Sequence, residues 1–499
     1  MDRKSLFIIG IILVLNLLPQ LYLWDHISDD AFISFRYAER MLEGKGLTFN
    51  DGEPVEGFSN PLWIFLIAIF SKIASIDIPT SARILGLILS SFVYFFVYLI
   101  AITLFEKKKS TIFFVFISVI LLFTPGFHVY STAGLEGPLL SFLLISTVYF
   151  SIRKNKYHIV ITSLLMGLVG ICRPEGLLYS FLWFLFSFEL NHFDIKIQVK
   201  RISLILLPNI IYLAFRLSYY GELLPNTAFA KPSGTYSSLI GFLENFNYLI
   251  IISFPLTTLL FYNYVKNDRS QNIFLRSIAG LLLANLIFLF YAGGDWMLFS
   301  RFFLPIWPIL LLGFTYLLIS FLYSIAENQY SFTIISYVCL LGLVITEVLL
   351  FQEQWFEYNS NSNYANLMKG KDQVIVGEWL NKNIKKNSTV ATFRIGGISY
   401  GAPNLFFYDT FGLTDKEISK FRSANKINYD VKENPIIKRY PDLLAIINLG
   451  GYRMITVEPV KGLDMLLGTN YSLIKTFKQG NGVFFEIWIN KDKRGKILL

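Results

Sequence analysis

Residues 28–63 read SDDAFISFRYAERMLEGKGLTFNDGEPVEGFSNPLW and come just after an apolar segment, residues 6–23, of membrane-spanning length. The stretch begins with Asp29 and Asp30, two adjacent carboxylates at the mouth of the predicted span. Carboxylates in that place are costly unless they meet water, a cation or a reacting proton. The pair therefore predicts the centre of a membrane active site, although the residues alone fit a solvated turn or a helix N-cap equally well.

The composition places the sequence among polytopic membrane proteins. Of its 499 residues, 54% are hydrophobic and 16% are charged, and the mean hydropathy is +0.52, which excludes a large soluble enzyme. The net charge of +9 lies in short loops between apolar segments, a pattern of membrane topology and not of a nucleic-acid partner. Cys172 and Cys339 lie in apolar runs, which argues against a disulfide framework, and the four histidines show no metal-ligand spacing.

Further apolar segments predict a series of membrane-spanning helices, each needing about 20 residues. They lie at 82–105, 111–124, 138–152, 158–171, 176–190, 202–219, 239–264, 273–292, 302–323 and 331–351. Lysine- and arginine-rich connectors at 107–109, 153–156, 196–201 and 266–269 mark alternate loops as cytoplasmic. A crossing by the apolar segment 61–75 would put all four connectors outside, so we interpret it as a re-entrant or interfacial helix. The prediction is eleven spans, with the N-terminus inside and the C-terminus outside.

This topology predicts two parts of the chain. Residues 1–351 form an α-helical transmembrane domain, whose first outer loop, residues 24–80, carries an amphipathic helix at 31–42 lying on the membrane. Residues 352–499 have the composition of a small extracytoplasmic α/β domain. Its predicted elements are a helix at 373–384 and strands at 389–393, 405–408, 453–457 and 483–489.

Ordered motifs along the chain then give a family resemblance. The run from Asp29 to Ala38, with Gly44–Leu47 and Val55–Trp63, resembles the GT-C superfamily of membrane glycosyltransferases. More narrowly, it is similar to the terminal β-(1→2)-arabinofuranosyltransferase family of mycobacteria and its uncharacterised bacterial relatives. Further matching motifs are Gly134-Leu135-Glu136, Arg173-Pro174-Glu175-Gly176, Tyr220-Gly221-Glu222, Leu224-Pro225-Asn226-Thr227, Gly293-Gly294-Asp295-Trp296-Met297, Arg301-Phe302 and Phe411-Gly412-Leu413-Thr414-Asp415.

The resemblance implies a GT-C fold and transfer of a sugar from a polyprenyl-phosphate donor to an extracytoplasmic glycan, lipid or protein. It also implies inversion at the anomeric carbon and an acidic catalytic base in the first outer loop. Asp30, with Asp29 as its partner, fits that role, since a carboxylate within hydrogen-bond reach of the acceptor hydroxyl can take its proton. The reverse assignment of the two stays open.

Cations and polar groups on the predicted outer side supply the remaining candidates. The leaving phosphate gathers charge and needs cations or aligned donors; the candidates are Arg36, Arg173, Lys231, Arg301 and Asn226. Candidates for binding substrate are Glu56, Glu136, Tyr220, Asp295 and Trp296. Arg173 as an interfacial anchor, Arg301 paired with Asp295, and the aromatic residues as a membrane belt are the structural alternatives. No resident cofactor is assigned, and a divalent cation bridging Asp30 and Glu136 stays an alternative.

Two other functions fit a polytopic chain. A transporter or flippase of lipid-linked sugars would carry charges and broken helices near the bilayer midplane, whereas the acidic motifs here gather in the predicted outer loops. A non-catalytic scaffold with a sensory outer domain would keep its function after Asp29 and Asp30 are replaced by asparagine. We therefore predict a multi-pass glycosyltransferase of a bacterial cell membrane.

Overall fold

The computed structural model describes residues 3–153, 155–187, 194–230, 269–292, 297–359, 370–424, 433–456, 461–479 and 482–498. The helices up to residue 359 are α1 (Arg3–Tyr22), α2 (Asp29–Leu42), α3 (Pro61–Ala74), α4 (Ile78–Leu104), α5 (Lys107–Leu122), α6 (Pro125–Thr132), α7 (Gly137–Ile152), α8 (His158–Cys172), α9 (Gly176–Phe186), α10 (Ile195–Tyr220), α11 (Asn226–Ala230), α12 (Arg269–Ala292), α13 (Trp307–Ile325) and α14 (Gln329–Asn359). A 3₁₀ turn, Leu304–Ile306, leads directly into α13.

Every predicted span that falls on described residues coincides with one of these helices; the span at 239–264 lies outside them. Among the described residues, five helices are long and apolar enough to cross a membrane, and α5 with α6 makes a sixth if this pair, bent by 70°, is one span. The shorter apolar helices are α1, α3, α7, α8 and α9. The chain is thus a multi-pass membrane protein, while the count of eleven spans and the sides of the termini stay predictions.

A six-stranded sheet forms the core of the C-terminal part. Its strands are β1 (Thr389–Thr392), β2 (Phe406–Asp409), β3 (Leu443–Leu449), β4 (Tyr452–Met454), β5 (Tyr471–Lys478) and β6 (Val483–Asn490). The order is β2-β1-β3-β6-β5 with β4 on β3; β1 is parallel to β2 and β3, and the other pairs are antiparallel. The helices of this part are α15 (Gly370–Asn383), α16 (Gly397–Gly401), α17 (Lys416–Ala424), α18 (Pro435–Lys438) and α19 (Leu463–Asn470), followed by a 3₁₀ turn, Lys491–Lys496.

The predicted α/β domain is therefore confirmed as a sheet with helices, but two of its strands escape the sequence pattern. β3, LLAIINL, is the central strand and is apolar on both faces, so it lacks the alternation that marks a half-buried strand. β5, YSLIKTFK, is an edge strand interrupted by an irregularity between Leu473 and Lys475. The division at residue 352 stays a prediction; α14 continues through that position to Asn359.

The C-terminal domain packs directly on the helix that carries the two aspartates. The Gly370 N–H donates to the Ile27 carbonyl at 2.8 Å. A methyl group at Gly396 would lie 2.0 Å from the Asp29 carbonyl oxygen, so only glycine permits this approach. The fold thus encloses the start of α2 between the transmembrane helices and the sheet domain.

Candidate active site

Asp29 and Asp30 form the first turn of α2, where the helix dipole favours negative charge. Their environments differ. The Asp29 side chain is 7% exposed, whereas that of Asp30 is 30% exposed. Of the two adjacent carboxylates, Asp30 is therefore the one that a substrate can reach.

Asp30 forms an ion pair with an arginine that is distant in sequence. Arg301 Nη1 lies 3.1 Å from Asp30 Oδ2, and the guanidinium also stacks on the Phe302 ring at 4.6 Å. Burial acts to raise the pKa of Glu136, and the charges of Arg173 and, to a smaller extent, Arg301 lower it, so Arg301 lies within electrostatic range of Glu136 as well. The structure thus brings together three residues that the sequence analysis singled out.

Arg301 follows an unusual backbone segment. Phe299 and Ser300 both adopt left-handed conformations, with φ of 62° and 50°. Such conformations cost non-glycine residues about 1–3 kcal/mol each and persist where surrounding contacts impose them. The Phe299 N–H donates to Gln354 Oε1 at 2.8 Å, and the Tyr130 hydroxyl donates to the Leu298 carbonyl at 2.8 Å. These contacts fix the direction in which the Arg301 side chain extends from the backbone.

Glu136 connects the first and second predicted outer loops. It lies at the N-cap position of α7 and accepts a hydrogen bond from Asn60 Nδ2 at 2.7 Å; Ser34 of α2 in turn donates to Asn60 Oδ1 at 3.0 Å. Arg173 contacts both Glu136 and Glu175. Burial acts to raise the pKa of Glu136, but the Arg173 charge and the Asn60 hydrogen bond outweigh it and hold the pKa below its usual range.

This network predicts a large loss of stability when its central cation is removed. Arg173→Met leaves the buried carboxylates of Glu136 and Glu175 without their shared guanidinium, which we expect to cost about 3–5 kcal/mol. Thermal melting of the detergent-purified protein measures the effect. The control is Arg153→Met, which removes an arginine bonded to the Tyr149 hydroxyl at 2.6 Å. Equal melting temperatures for the two variants would contradict the prediction. Combining Arg173→Met with Glu136→Gln and Glu175→Gln should restore the stability, because no buried charge is then left unpaired.

Asp29 faces the C-terminal domain. Its Oδ1 accepts a hydrogen bond from the Gly397 N–H at 2.7 Å, and Arg394 Nη1 lies 3.9 Å from its Oδ2. Burial raises the pKa of Asp29 to about 6; Arg394 and the Gly397 N–H oppose this effect, and the Asp30 charge adds to it. Asp29 therefore links the start of α2 to the loop that follows β1.

The raised pKa of Asp29 predicts how stability depends on pH. Because the folded pKa, about 6, exceeds the ordinary value of 3.8, the native state binds the proton more tightly, and stability falls as the pH rises through this interval. Asp29→Asn keeps an acceptor for Gly397 and does not titrate, so its stability advantage over wild type should grow to about 3 kcal/mol above pH 6. Melting curves at pH 4.5 and pH 7 test this. The control is Asp464→Asn, at a carboxylate whose side chain is 73% exposed. If the Asp29→Asn curve parallels wild type across this range, Asp29 is not a destabilised carboxylate.

Glu56, Tyr220 and Asn226 form a second polar cluster. Glu56 binds Arg216 at 2.6 Å and accepts from the Tyr212 hydroxyl at 2.7 Å. The Tyr220 hydroxyl donates to the Leu47 carbonyl at 2.8 Å. Asn226 Nδ2 donates to the Gly412 and Leu413 carbonyls, at 2.8 Å each. These bonds join the segment between α2 and α3 and the end of α10 to the C-terminal domain, and they do not lead to Asp30. The roles of the three residues in substrate or phosphate binding stay predictions.

Arg36 lies in the same interface. Its guanidinium is buried and donates to the carbonyls of Phe49, at 2.9 Å, of Ser399, and of Leu405, at 3.4 Å. These carbonyls accept hydrogen bonds from the Arg36 N–H groups that a phosphate would need. The contacts therefore hold α2 against the C-terminal domain. Phosphate binding by Arg36 stays a prediction that no contact in this arrangement supports.

Three other predicted residues, Lys231, Asp295 and Trp296, lie outside the described residues. Among the residues that the structure does describe, no group of three or more His, Cys, Asp or Glu side chains is arranged to hold a metal ion. The bridging cation between Asp30 and Glu136 therefore stays an open alternative.

Arg394 and Asn60 are site residues that the sequence analysis missed. Arg394 is the second residue after β1 and comes shortly before Gly396-Gly397, so a charged residue and two glycines lie beyond the carboxyl end of a parallel strand, where binding loops gather in α/β domains. That position was a usable signal. Asn60 precedes Pro61, the first residue of α3. In the sequence this is a common arrangement at the start of a helix, so it gave no sign of a role in the site.

Comparison with known proteins supports the fold. Residues 362–493 match a domain family of unknown function, DUF8728. No curated protein matches the sequence. Among solved structures, the chain is similar to ArnT from Cupriavidus metallidurans bound to undecaprenyl phosphate, at 11% identity and a TM-score of 0.56, over 97% of this chain and 98% of that one.

Two archaeal structures are similar as well. AglB from Archaeoglobus fulgidus in complex with an inhibitory peptide and a dolichol-phosphate matches at 12% identity and a TM-score of 0.53, over 97% of this chain and 74% of that one. The apo form of the Archaeoglobus fulgidus oligosaccharyltransferase matches at 11% identity and a TM-score of 0.53, over 88% of this chain and 69% of that one. A likeness at this identity shows the fold, and it confirms the prediction of an α-helical polytopic membrane protein with a small C-terminal α/β domain.

Proposed function

We propose that the chain is an inverting membrane glycosyltransferase that moves a sugar from a polyprenyl-phosphate donor to an extracytoplasmic glycan, lipid or protein. The observation that carries the proposal is the Asp30–Arg301 pair, a partly exposed carboxylate and an arginine joined at 3.1 Å, with the arginine in electrostatic range of Glu136. Transfer from a lipid phosphate needs both a base for the acceptor and a cation for the leaving group. The fold supports the choice, since solved structures with this fold hold undecaprenyl phosphate or a dolichol-phosphate.

In this mechanism Asp30 is the base. The acceptor O–H bond breaks and its proton passes to the Asp30 carboxylate, while the acceptor oxygen forms a bond to the anomeric carbon. The bond from that carbon to the phosphate oxygen breaks, and its electron pair stays on the polyprenyl phosphate. Attack opposite to the leaving group inverts the anomeric centre, and the phosphate needs no separate acid to leave.

Arg301 is the proposed ligand of the leaving phosphate. A guanidinium binds phosphate with two parallel hydrogen bonds, which favours arginine for this task. When the donor phosphate takes over the guanidinium, Asp30 is released to accept the proton from the acceptor. The resting ion pair therefore keeps the base occupied until the donor is bound. Arg173 lies over the same Phe302 ring, at 5.2 Å, but it is paired with Glu136 and Glu175, so we assign the phosphate to Arg301.

Asp29 is the proposed positioning residue for Asp30. It is buried against the Gly397 N–H and faces Arg394, so the C-terminal domain holds the turn on which Asp30 lies. This contact gives the C-terminal domain a part in the site and places it where it can bring an acceptor to the base. The outward orientation rests on the alternation of basic loops and on the resemblance of residues 29–63.

The test uses the full chain in proteoliposomes with a panel of polyprenyl-phosphate sugars and acceptors. The panel contains both hexose and pentose donors, because the sequence motifs do not identify the sugar. Release of polyprenyl phosphate together with a new glycoside of inverted configuration is the expected result. Movement of the lipid-linked sugar across the bilayer without turnover of any donor would replace the proposal with a flippase.

A further inference from the structure

A buried carboxyl group lies in the middle of α14, away from the two aspartates. The Glu347 side chain is packed inside the protein, and the residue is 3% exposed. Its Oε1 lies 2.7 Å from the Thr124 hydroxyl, which is also 3.0 Å from the Ile120 carbonyl and 3.1 Å from the Trp307 indole nitrogen. An ionisable group inside a membrane helix is a candidate for function, and the proposed mechanism does not use this one.

The protonation state of Glu347 follows from counting hydrogens on the Thr124 hydroxyl. A hydroxyl has one hydrogen to donate and two lone pairs to accept with. The indole N–H of Trp307 can only donate, and the Ile120 carbonyl can only accept. The Thr124 hydrogen can go to Glu347 Oε1 or to Ile120, and when it goes to Ile120 the second lone pair of the hydroxyl faces Glu347 Oε1. All three contacts are satisfied together when Glu347 is a neutral carboxylic acid that donates to Thr124.

The surroundings of Glu347 agree with a neutral acid. Among the described residues, Glu347 forms no ion pair, and its hydrogen-bond partner is the uncharged Thr124. A buried carboxylate is costly in such a place unless a cation or several donors face it, and a buried carboxyl group responds by keeping its proton. The same apolar packing that makes the charge costly strengthens the hydrogen bonds of the neutral form.

The Thr124 hydroxyl joins α14 to the two segments that lead to Glu136 and Arg301. Thr124 lies at the 70° bend between α5 and α6, and α6 leads through Gly134 to Glu136. Trp307 is the first residue of α13, six positions after Arg301. Glu347 anchors both to α14.

Other contacts show how tightly these elements approach one another. On α14, Gln354 lies two helical turns beyond Glu347 and accepts from the Phe299 N–H at 2.8 Å. A methyl group at Gly126 of α6 would lie 2.5 Å from Phe299 and 2.8 Å from Leu304, so the segment around Arg301 packs directly on α6. The relative position of Arg301 and Glu136 thus depends on this junction.

We infer that Glu347 is a neutral carboxylic acid that, through Thr124 and Trp307, fixes the segments carrying Glu136 and Arg301 relative to each other. The inference rests on the proposed function where it concerns transfer, and Glu347 acts in it as a positioning residue. The positioning of the two segments requires the hydrogen-bond donor of Glu347, and it does not require a negative charge at this position.

The experiment compares Glu347→Gln with Glu347→Leu in the full-length purified protein. Glutamine offers a neutral N–H donor of the same length, so kcat should stay within about threefold of wild type. Leucine removes the donor and displaces the site, and kcat should fall by about 100-fold with a smaller change in the donor KM, as misplaced catalytic groups do. Thr124→Val, which removes only the hydroxyl, should match Glu347→Leu and covers the case in which leucine impairs folding. Thr346→Leu, on the exposed side of the same helix, is the control.

A spectroscopic reading separates this inference from the proposed function. The infrared difference between wild type and Glu347→Gln at pH 7 should contain the carbonyl band of a protonated carboxyl group. Carboxylate bands in its place, or a Glu347→Gln variant as impaired as Glu347→Leu, would overturn the inference. If wild-type protein transfers no sugar, the proposed function fails, while the infrared band still decides the state of Glu347.

Discussion

Asp30→Asn should reduce kcat for sugar transfer by about 10²- to 10⁴-fold, the range that a positioned general base contributes. Asparagine keeps the size and one acceptor oxygen of aspartate but cannot take the proton of the acceptor hydroxyl. The side chain is 30% exposed and lies in the first turn of α2, so the substitution should leave folding intact. Initial rates at saturating donor and acceptor measure the loss.

The matched control is Asp25→Asn. Asp25 lies five residues earlier, its side chain is 80% exposed, and it pairs with Lys371 at 2.8 Å. It should keep the wild-type rate. Full activity of Asp30→Asn would remove Asp30 as the base, and a selective loss in Asp29→Asn would reverse the roles of the two aspartates.

Arg301→Ala should have the second largest effect, a fall in kcat of about 10²- to 10³-fold, as for other single groups that stabilise transition-state charge. The guanidinium is paired with Asp30, and its removal leaves the leaving phosphate without the cation we assign to it. Arg301→Lys should restore only part of the rate, because an ammonium cannot form the two parallel bonds. Rates can be measured with several donors whose leaving groups differ in acidity. The loss of rate in Arg301→Ala should be largest for the donor with the poorest leaving group.

Arg83→Ala is the control for Arg301→Ala. Arg83 stands near the start of α4, stacks on Trp24 at 4.4 Å and donates to the Trp24 carbonyl at 3.1 Å, so it resembles Arg301 in packing on an aromatic ring. It should reduce the rate little. If Arg83→Ala and Arg301→Ala lose activity equally, the effect of Arg301 is one of general packing and not of phosphate binding.

The parts of the fold that depend on local pattern could be predicted from the sequence. The amphipathic helix at 31–42 is confirmed as α2, because its periodicity is set by residues three and four positions apart. The α15 helix is confirmed for the same reason. The bend of 70° after α5 was not predicted, since an apolar run reads the same whether the helix continues or turns.

The site could be predicted only in part. Sequence motifs single out Asp30, Glu136 and Arg301, and the structure pairs Asp30 with Arg301 and brings Arg301 within electrostatic range of Glu136. The pairing of Asp30 with Arg301 spans 271 positions in the chain, and no local pattern encodes it. Arg394 approaches Asp29 only because the C-terminal domain packs on α2, and that contact requires the close approach at Gly396.

Glu347 shows the opposite limit. It is a single carboxyl group in the apolar run 331–351, and one such group does not change the prediction of a membrane span from hydropathy. Its meaning comes from Thr124 and Trp307, which the fold brings to it from two other helices. Chemistry of this kind is visible only when the hydrogen-bond donors around one hydroxyl can be counted.

The central claim is that the base and the cation for the leaving group meet at Asp30 and Arg301. An experimental structure of the full chain with polyprenyl phosphate bound tests it most directly. We predict that the phosphate oxygens lie within hydrogen-bond distance of Arg301 and that the Asp30 carboxylate is released from the arginine and open to the acceptor side. A phosphate bound instead at the Glu56–Arg216 pair, with Asp30 and Arg301 still joined, would contradict the account.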